Sequence, residues 1–191
     1  ILMQEPPART GTVITVRGQL GALRLAFLNP VLTWLFVLAV LMYAFSHLPF
    51  VFGQLFILTT LGNYGLATEA PLVSGMVTSA MMIVAALASL IALGARRRLG
   101  LPLLLLLAFG LQIALAGALA LSTSALVIGV LLLRMVPDSL SGPFITARIQ
   151  PLLEDSTRAT YLSLKSLGGK VFFAATLLLA ATSATDAGLL P

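Results

Sequence analysis

The chain has 191 residues, of which 59% are apolar and 9% charged, with no cysteine and a net charge of +5. A water-soluble domain of this length cannot bury so much apolar surface, and the lack of cysteine removes disulfide frameworks, iron–sulfur clusters and thiolate zinc sites. The positive charge is split into small groups, each beside a hydrophobic block, which excludes a nucleic-acid-binding face.

What remains is an all-α, polytopic membrane bundle. A bilayer solvates apolar side chains from outside and requires only that backbone polar groups pair internally, as they do in helices. A β-barrel is excluded because the apolar residues run in continuous blocks, without the alternation of barrel strands.

In chain order, residues 1–28 read as a cytoplasmic linker feeding an interfacial helix. Glu5-Pro6-Pro7 resists helix, after which Arg17, Leu20, Leu23, Arg24 and Phe27 fall at helical spacings. The chain opens on Ile1, with no basic leader before it, as expected of a piece of something longer. Asn29-Pro30 then has the form of an N-cap followed by a first-turn proline. It opens a first span over about 30–58, with Pro49 as an expected kink.

Asn63 to Pro71 reads as a loop, and a second span over about 72–94 ends against Arg96-Arg97-Arg98. The apolar stretch 101–133 would be roughly 50 Å long as one helix, too long for a single crossing of a core roughly 30 Å thick. Charge parity also demands a cut. A single crossing would put the triple arginine opposite the group Arg148, Arg158, Lys165 and Lys170, against the tendency of basic residues to share the cytoplasmic side. With a turn near 117–124 there are spans over about 101–119 and 124–147. A fifth follows over about 159–184, leaving 185–191 as an extracytoplasmic end. Arg9, Arg17, Arg24, the triple arginine, Arg148 and Arg158 then face the cytoplasm, and Glu69 and Asp186 face out.

Two polar features interrupt the oil. In the fourth span Arg134 and Asp138 stand four residues apart, hence on one helix face where they can neutralise each other, with Ser141 one turn on. A charge near the midplane costs about 2.5–3.5 kcal/mol, so this face should meet protein or a water-filled cavity. Pro137 lacks the N–H that would bond Leu133, which frees a carbonyl. The pair is either the lining of a transport pathway or a structural ion pair between helices. In the first span Tyr43, His47, Phe50 and Gln54 form one stripe beside Pro49. His47, the one histidine, reads either as a packing residue or as a proton carrier. Lys170 can reach inward or snorkel to the interface, Gly168-Gly169 permits close helix approach, and Trp34 reads as an interface anchor.

The segment Arg134-x-x-Pro137, Pro143, then Arg158-Ala159-Thr160-x-x-Ser163-Leu164-x-Ser166-Leu167 resembles the tenth helix, cytoplasmic loop and eleventh helix of bacterial major facilitator superfamily transporters. Residues 23–30 resemble the approach to their seventh helix, and Arg96 to Gly100, RRRLG, their basic loop between the eighth and ninth. The loop lacks the aspartate and second half of the superfamily's better-known motif. The resemblance implies helices seven to eleven of a twelve-helix protein in the bacterial inner membrane. The twelfth helix and the amino-terminal half would then be missing partners of the same protein.

It further implies alternating access around a midplane site for a small-molecule substrate, proton-coupled efflux or uptake, and no cofactor. Arg134, Asp138, Tyr43, His47 and Gln54 would line the pathway, with Asp138 the carboxylate for proton linkage; an arginine paired with it would oppose that protonation. Enzyme chemistry is not expected: one histidine and no GxSG-like loop supply neither a proteolytic pair nor a metal site. A non-transporting assembly subunit of a membrane complex is the remaining alternative.

Overall fold

The computed structural model describes residues 16–121 and 126–186. The linker with Arg9, the middle of the turn at 122–125 and the end 187–191 lie outside the described residues. Among the described residues the regular elements are all helical: α1 (Val16–Leu28), α2 (Pro30–Gly62), α3 (Ala70–Leu99), α4 (Leu101–Leu121), α5 (Leu126–Leu131), α6 (Val136–Ile149) and α7 (Asp155–Asp186). Among the described residues five segments are long and apolar enough to cross a bilayer, with α5 and α6 contributing to one. Exposed Leu87, Leu90, Ile91, Leu178 and Leu179 give α3 and α7 outer surfaces suited to acyl chains.

The boundaries follow local chemistry. Asn29 Oδ1 accepts from the Val31 N–H at 3.0 Å, so the N-cap expected at Asn29-Pro30 forms. The helix it opens runs 33 residues, or about 50 Å, and continues past Pro49 to Gly62. Gly65, at φ +73°, and a short 3-10 turn over Ala67–Glu69 carry the chain into α3. That helix extends through all three arginines to Leu99, a full turn beyond the span expected from hydropathy, because cations suit a helix carboxyl end. One residue, Gly100 at φ +75°, then reverses the chain into α4.

The expected cut of 101–133 is present, with α4 ending at Leu121 and α5 starting at Leu126. The fourth span, however, is not one helix. Over 132–135 the chain tightens into i to i−3 bonds: Leu132 N–H to Gly129 O, Leu133 to Val130, Arg134 to Leu131 and Val136 to Leu133, at 3.0–3.2 Å. Pro137 thus sits in the first turn of a new helix, where a missing N–H costs little. The Leu133 carbonyl is not freed, since Val136 occupies it.

Packing is densest toward one end. The core cluster joins Leu23 and Ala26 of α1, Leu32, Leu35 and Leu38 of α2, Leu105 and Ala108 of α4, Ile145 and Ile149 of α6, and Tyr161 of α7. The buried Tyr161 hydroxyl donates to the Leu32 carbonyl at 2.6 Å, and its ring meets Phe27 and Phe36 at 5.7 and 5.8 Å. At this same end Arg96, Arg148 and the amino ends of α2 and α4 border one cavity. Arg96 and Arg148, two of the basic residues that parity placed on one side, are therefore neighbours in space. Farther along, α7 lies directly on α2: a Cβ at Gly169 would fall 2.7 Å from Tyr43 Cγ, so glycine is what lets the helices meet.

Candidate functional site

Tyr43, the residue Gly169 accommodates, stands on the wall of a cavity of about 610 Å3 between α2, α6 and α7. From α2 come Met42, Tyr43, Ser46 and His47; from α6 come Asp138, Ser141 and Thr146; from α7 come Lys165 and Ser166. The volume suits a small organic molecule.

His47 is held from its own helix. Its Nδ1 lies 2.8 Å from the Tyr43 carbonyl, which can only accept, so Nδ1 is assigned the proton. The Ser46 hydroxyl, 3.2 Å from the same nitrogen, makes its closer bond to the Tyr43 carbonyl at 3.0 Å. The imidazole stacks on the Tyr43 ring, centroids 3.9 Å apart, and Phe173 of α7 packs against it at 5.6 Å. This leaves Nε2, with no hydrogen-bond partner among the described residues, as the basic nitrogen.

Asp138 enters in the first turn of α6, where the helix dipole favours a carboxylate. His47 and Arg134 act on it electrostatically, and Gln112 of α4 stands beside it. Gln112 is only 2% exposed, yet neither amide atom completes a hydrogen bond of ordinary geometry. Ser141, buried one turn on, donates to the Pro137 carbonyl at 2.7 Å, with Met42 Sδ 3.8 Å away. Lys165 faces the cavity half-buried and, among the described residues, makes no ion pair with Asp138.

The five residues singled out in the sequence are not all brought together. Tyr43, His47 and Asp138 share the large cavity; Gln54 and Arg134 line a separate one of about 130 Å3 with Pro49, Ser74 and Thr78. The expected Arg134–Asp138 ion pair does not form, because Arg134 lies in the break and Asp138 beyond it, so the helical i, i+4 spacing does not hold. Instead the guanidinium lies over the Phe50 ring, Cζ 4.9 Å from its centroid, with one nitrogen 3.5 Å from Met135 Sδ. Nor does the stripe Tyr43, His47, Phe50, Gln54 stay on one surface, since α2 is long enough for its second half to face α3 and α5.

Lys165, Ser46 and Gln112 were missed as site residues. Lys165 counts among the topology charges in the parity argument, although its place ten residues into α7 signals depth. Gln112 had a clear signal, as the lone polar side chain in the otherwise apolar 101–121. Lys170, the cation considered for an inward role, is exposed.

No family model, curated protein or solved structure matches the chain. Fold and cavity together define its class: an integral membrane protein, built as an all-α bundle with a cavity among its helices that carries Asp138, His47 and Lys165.

Proposed function

We propose that this bundle is part of a secondary active transporter that moves a small molecule by alternating access, coupled to protons. One observation carries the reading: a broken span delivers Asp138 to a cavity that it shares with His47 and Lys165 from two other helices. Discontinuous helices at membrane depth are tolerated where they line a cavity or are buried in protein, and ionisable groups there mark solute or proton routes. An assembly contact would not require ionisable side chains from three helices around about 610 Å3 of space.

Each group has a distinct part. Asp138, free of a direct arginine partner, is the coupling carboxylate, and the exposed edge of His47 is its proton relay. Lys165 supplies positive charge for an acidic group on the solute. The hydroxyls of Ser46, Thr146 and Ser166 solvate what enters, while the Tyr43 ring offers an apolar face. The resemblance to the major facilitator superfamily supplies the remaining part of the proposal. A second bundle would face this cavity, and the basic end would lie on the cytoplasmic side of a bacterial inner membrane.

The test uses the full-length protein in proteoliposomes enclosing a pH-sensitive dye, exposed to panels of small carboxylates, amines and amphipathic neutral molecules. At least one class should drive proton movement. Asp138→Asn should abolish that movement while thermal stability and solute-for-solute exchange persist. Proton movement unchanged in Asp138→Asn would reject the coupling role, and no response to any class would reject transport of these solutes.

A further inference from the structure

A different cavity, at the basic end, carries an inference that does not depend on transport. It measures about 570 Å3 and lies where the amino ends of α2 and α4 meet the carboxyl ends of α3 and α6. Arg96 and Arg148 form its charged rim, and Val31, Trp34, Leu35 and Leu101 its apolar wall. No carboxylate lines it, and among the described residues neither arginine has an ion-pair partner. Arg96 is exposed, yet its guanidinium does not stand free of the bundle, since its Cζ lies 4.9 Å over the Phe144 ring.

We propose that this cavity binds one anionic phospholipid, its phosphate between Arg96 and Arg148 and an acyl chain along Val31 and Trp34. Charge complementarity identifies the head. Two guanidiniums can fork onto phosphate oxygens, and with no carboxylate in the lining their charge is unopposed by any side chain there. The wall identifies the rest, since a free anion gains nothing from the exposed faces of Trp34 and Val31, both 39% accessible at the end of a membrane span. In a bilayer the nearest molecule with a phosphate above an alkyl chain is a lipid.

The experiment is native mass spectrometry of the detergent-purified full-length protein, titrated with phosphatidylglycerol or with phosphatidylcholine of identical chains. Phosphatidylglycerol should stay bound and phosphatidylcholine should not. The Arg96→Gln/Arg148→Gln double variant should lose about tenfold or more of that affinity, as expected for removing charge-assisted bonds. Arg97→Gln/Arg98→Gln, which removes two charges outside the lining, should change it by about twofold or less. Unchanged affinity in the first variant, equal binding of both lipids, or displacement of phosphatidylglycerol by millimolar inorganic phosphate would each overturn the proposal. If the double glutamine variant fails to fold, Arg96→Lys/Arg148→Lys replaces it. That variant keeps the charge without the fork, so an intermediate loss supports the site and none refutes it.

Discussion

Alanine at Gly169 would put a methyl carbon 2.7 Å from Tyr43 Cγ, 2.8 Å from Cδ1 and 2.9 Å from Cβ. Carbon atoms pack at about 3.5–4.0 Å, so all three contacts are too close by roughly an ångström. Tyr43 cannot easily swing aside. Its Cβ is fixed to α2, and its ring lies in a stack with His47 at 3.9 Å. The helices must therefore separate, and overpacking of this kind costs about 1–3 kcal/mol. Alanine returns about 1 kcal/mol through its better helix propensity, which leaves a net loss of up to about 2 kcal/mol. Gly168→Ala is the internal control, its tightest contact being 3.1 Å to Val40 Cγ2. Unfolding of the purified protein in mixed micelles, followed by helical circular dichroism, should rank wild type and Gly168→Ala above Gly169→Ala. Adding Tyr43→Ala to Gly169→Ala should show coupling, because it removes the two closest contacts at once. A Gly169→Ala protein more stable than wild type, with no coupling to Tyr43, would refute the close approach of α2 and α7.

Three further substitutions separate packing from function. Tyr161→Phe removes the 2.6 Å bond to the Leu32 carbonyl while keeping the ring cluster, and should cost about 0.5–1.5 kcal/mol in the same unfolding assay. Gln112→Leu removes two buried amide atoms that have no hydrogen-bond partner, so stability should hold or rise; a drop beyond about 1 kcal/mol would mean the amide is satisfied in solution. Arg134→Gln should weaken contact with Phe50 yet leave proton movement at least half intact, since Arg134 lies outside the cavity holding Asp138 and acts on it only through space, without an ion pair. Loss as complete as in Asp138→Asn would place both residues on one pathway.

Much of the bundle was legible because its causes are local. Asn29-Pro30 announced α2, and the length of the apolar stretch 101–133 demanded a cut; the structure has both, while α3 runs on through the triple arginine to Leu99. The site was less legible because it depends on one backbone event. A proline four residues before Ser141 reads equally as a flaw inside a long helix or as the first turn of a new one. Only the tight bonding over 132–135 decides for the second. That choice rotates Arg134 away from Asp138 and breaks a pair that helical spacing alone would make. Lys165 reaches the cavity through the lie of α7 on α2, set by Gly168 and Gly169 against Val40 and Tyr43, a match between distant segments that spacing within either one does not reveal.

The proposal of alternating access turns on whether the cavity around Asp138 opens to each side of the membrane in turn. These 191 residues hold no cysteine, so once any cysteine elsewhere in the full-length protein is replaced by serine, a single one can be placed at Thr146, on the cavity wall. The full-length protein, reconstituted in known orientation, would be treated with a membrane-impermeant thiol reagent from one side and then, in a separate sample, from the other. Reaction from both sides, slowed by a solute that moves protons, is the predicted result. Reaction from one side only, under every gradient and solute tried, would mean a fixed crevice and would contradict the transport account.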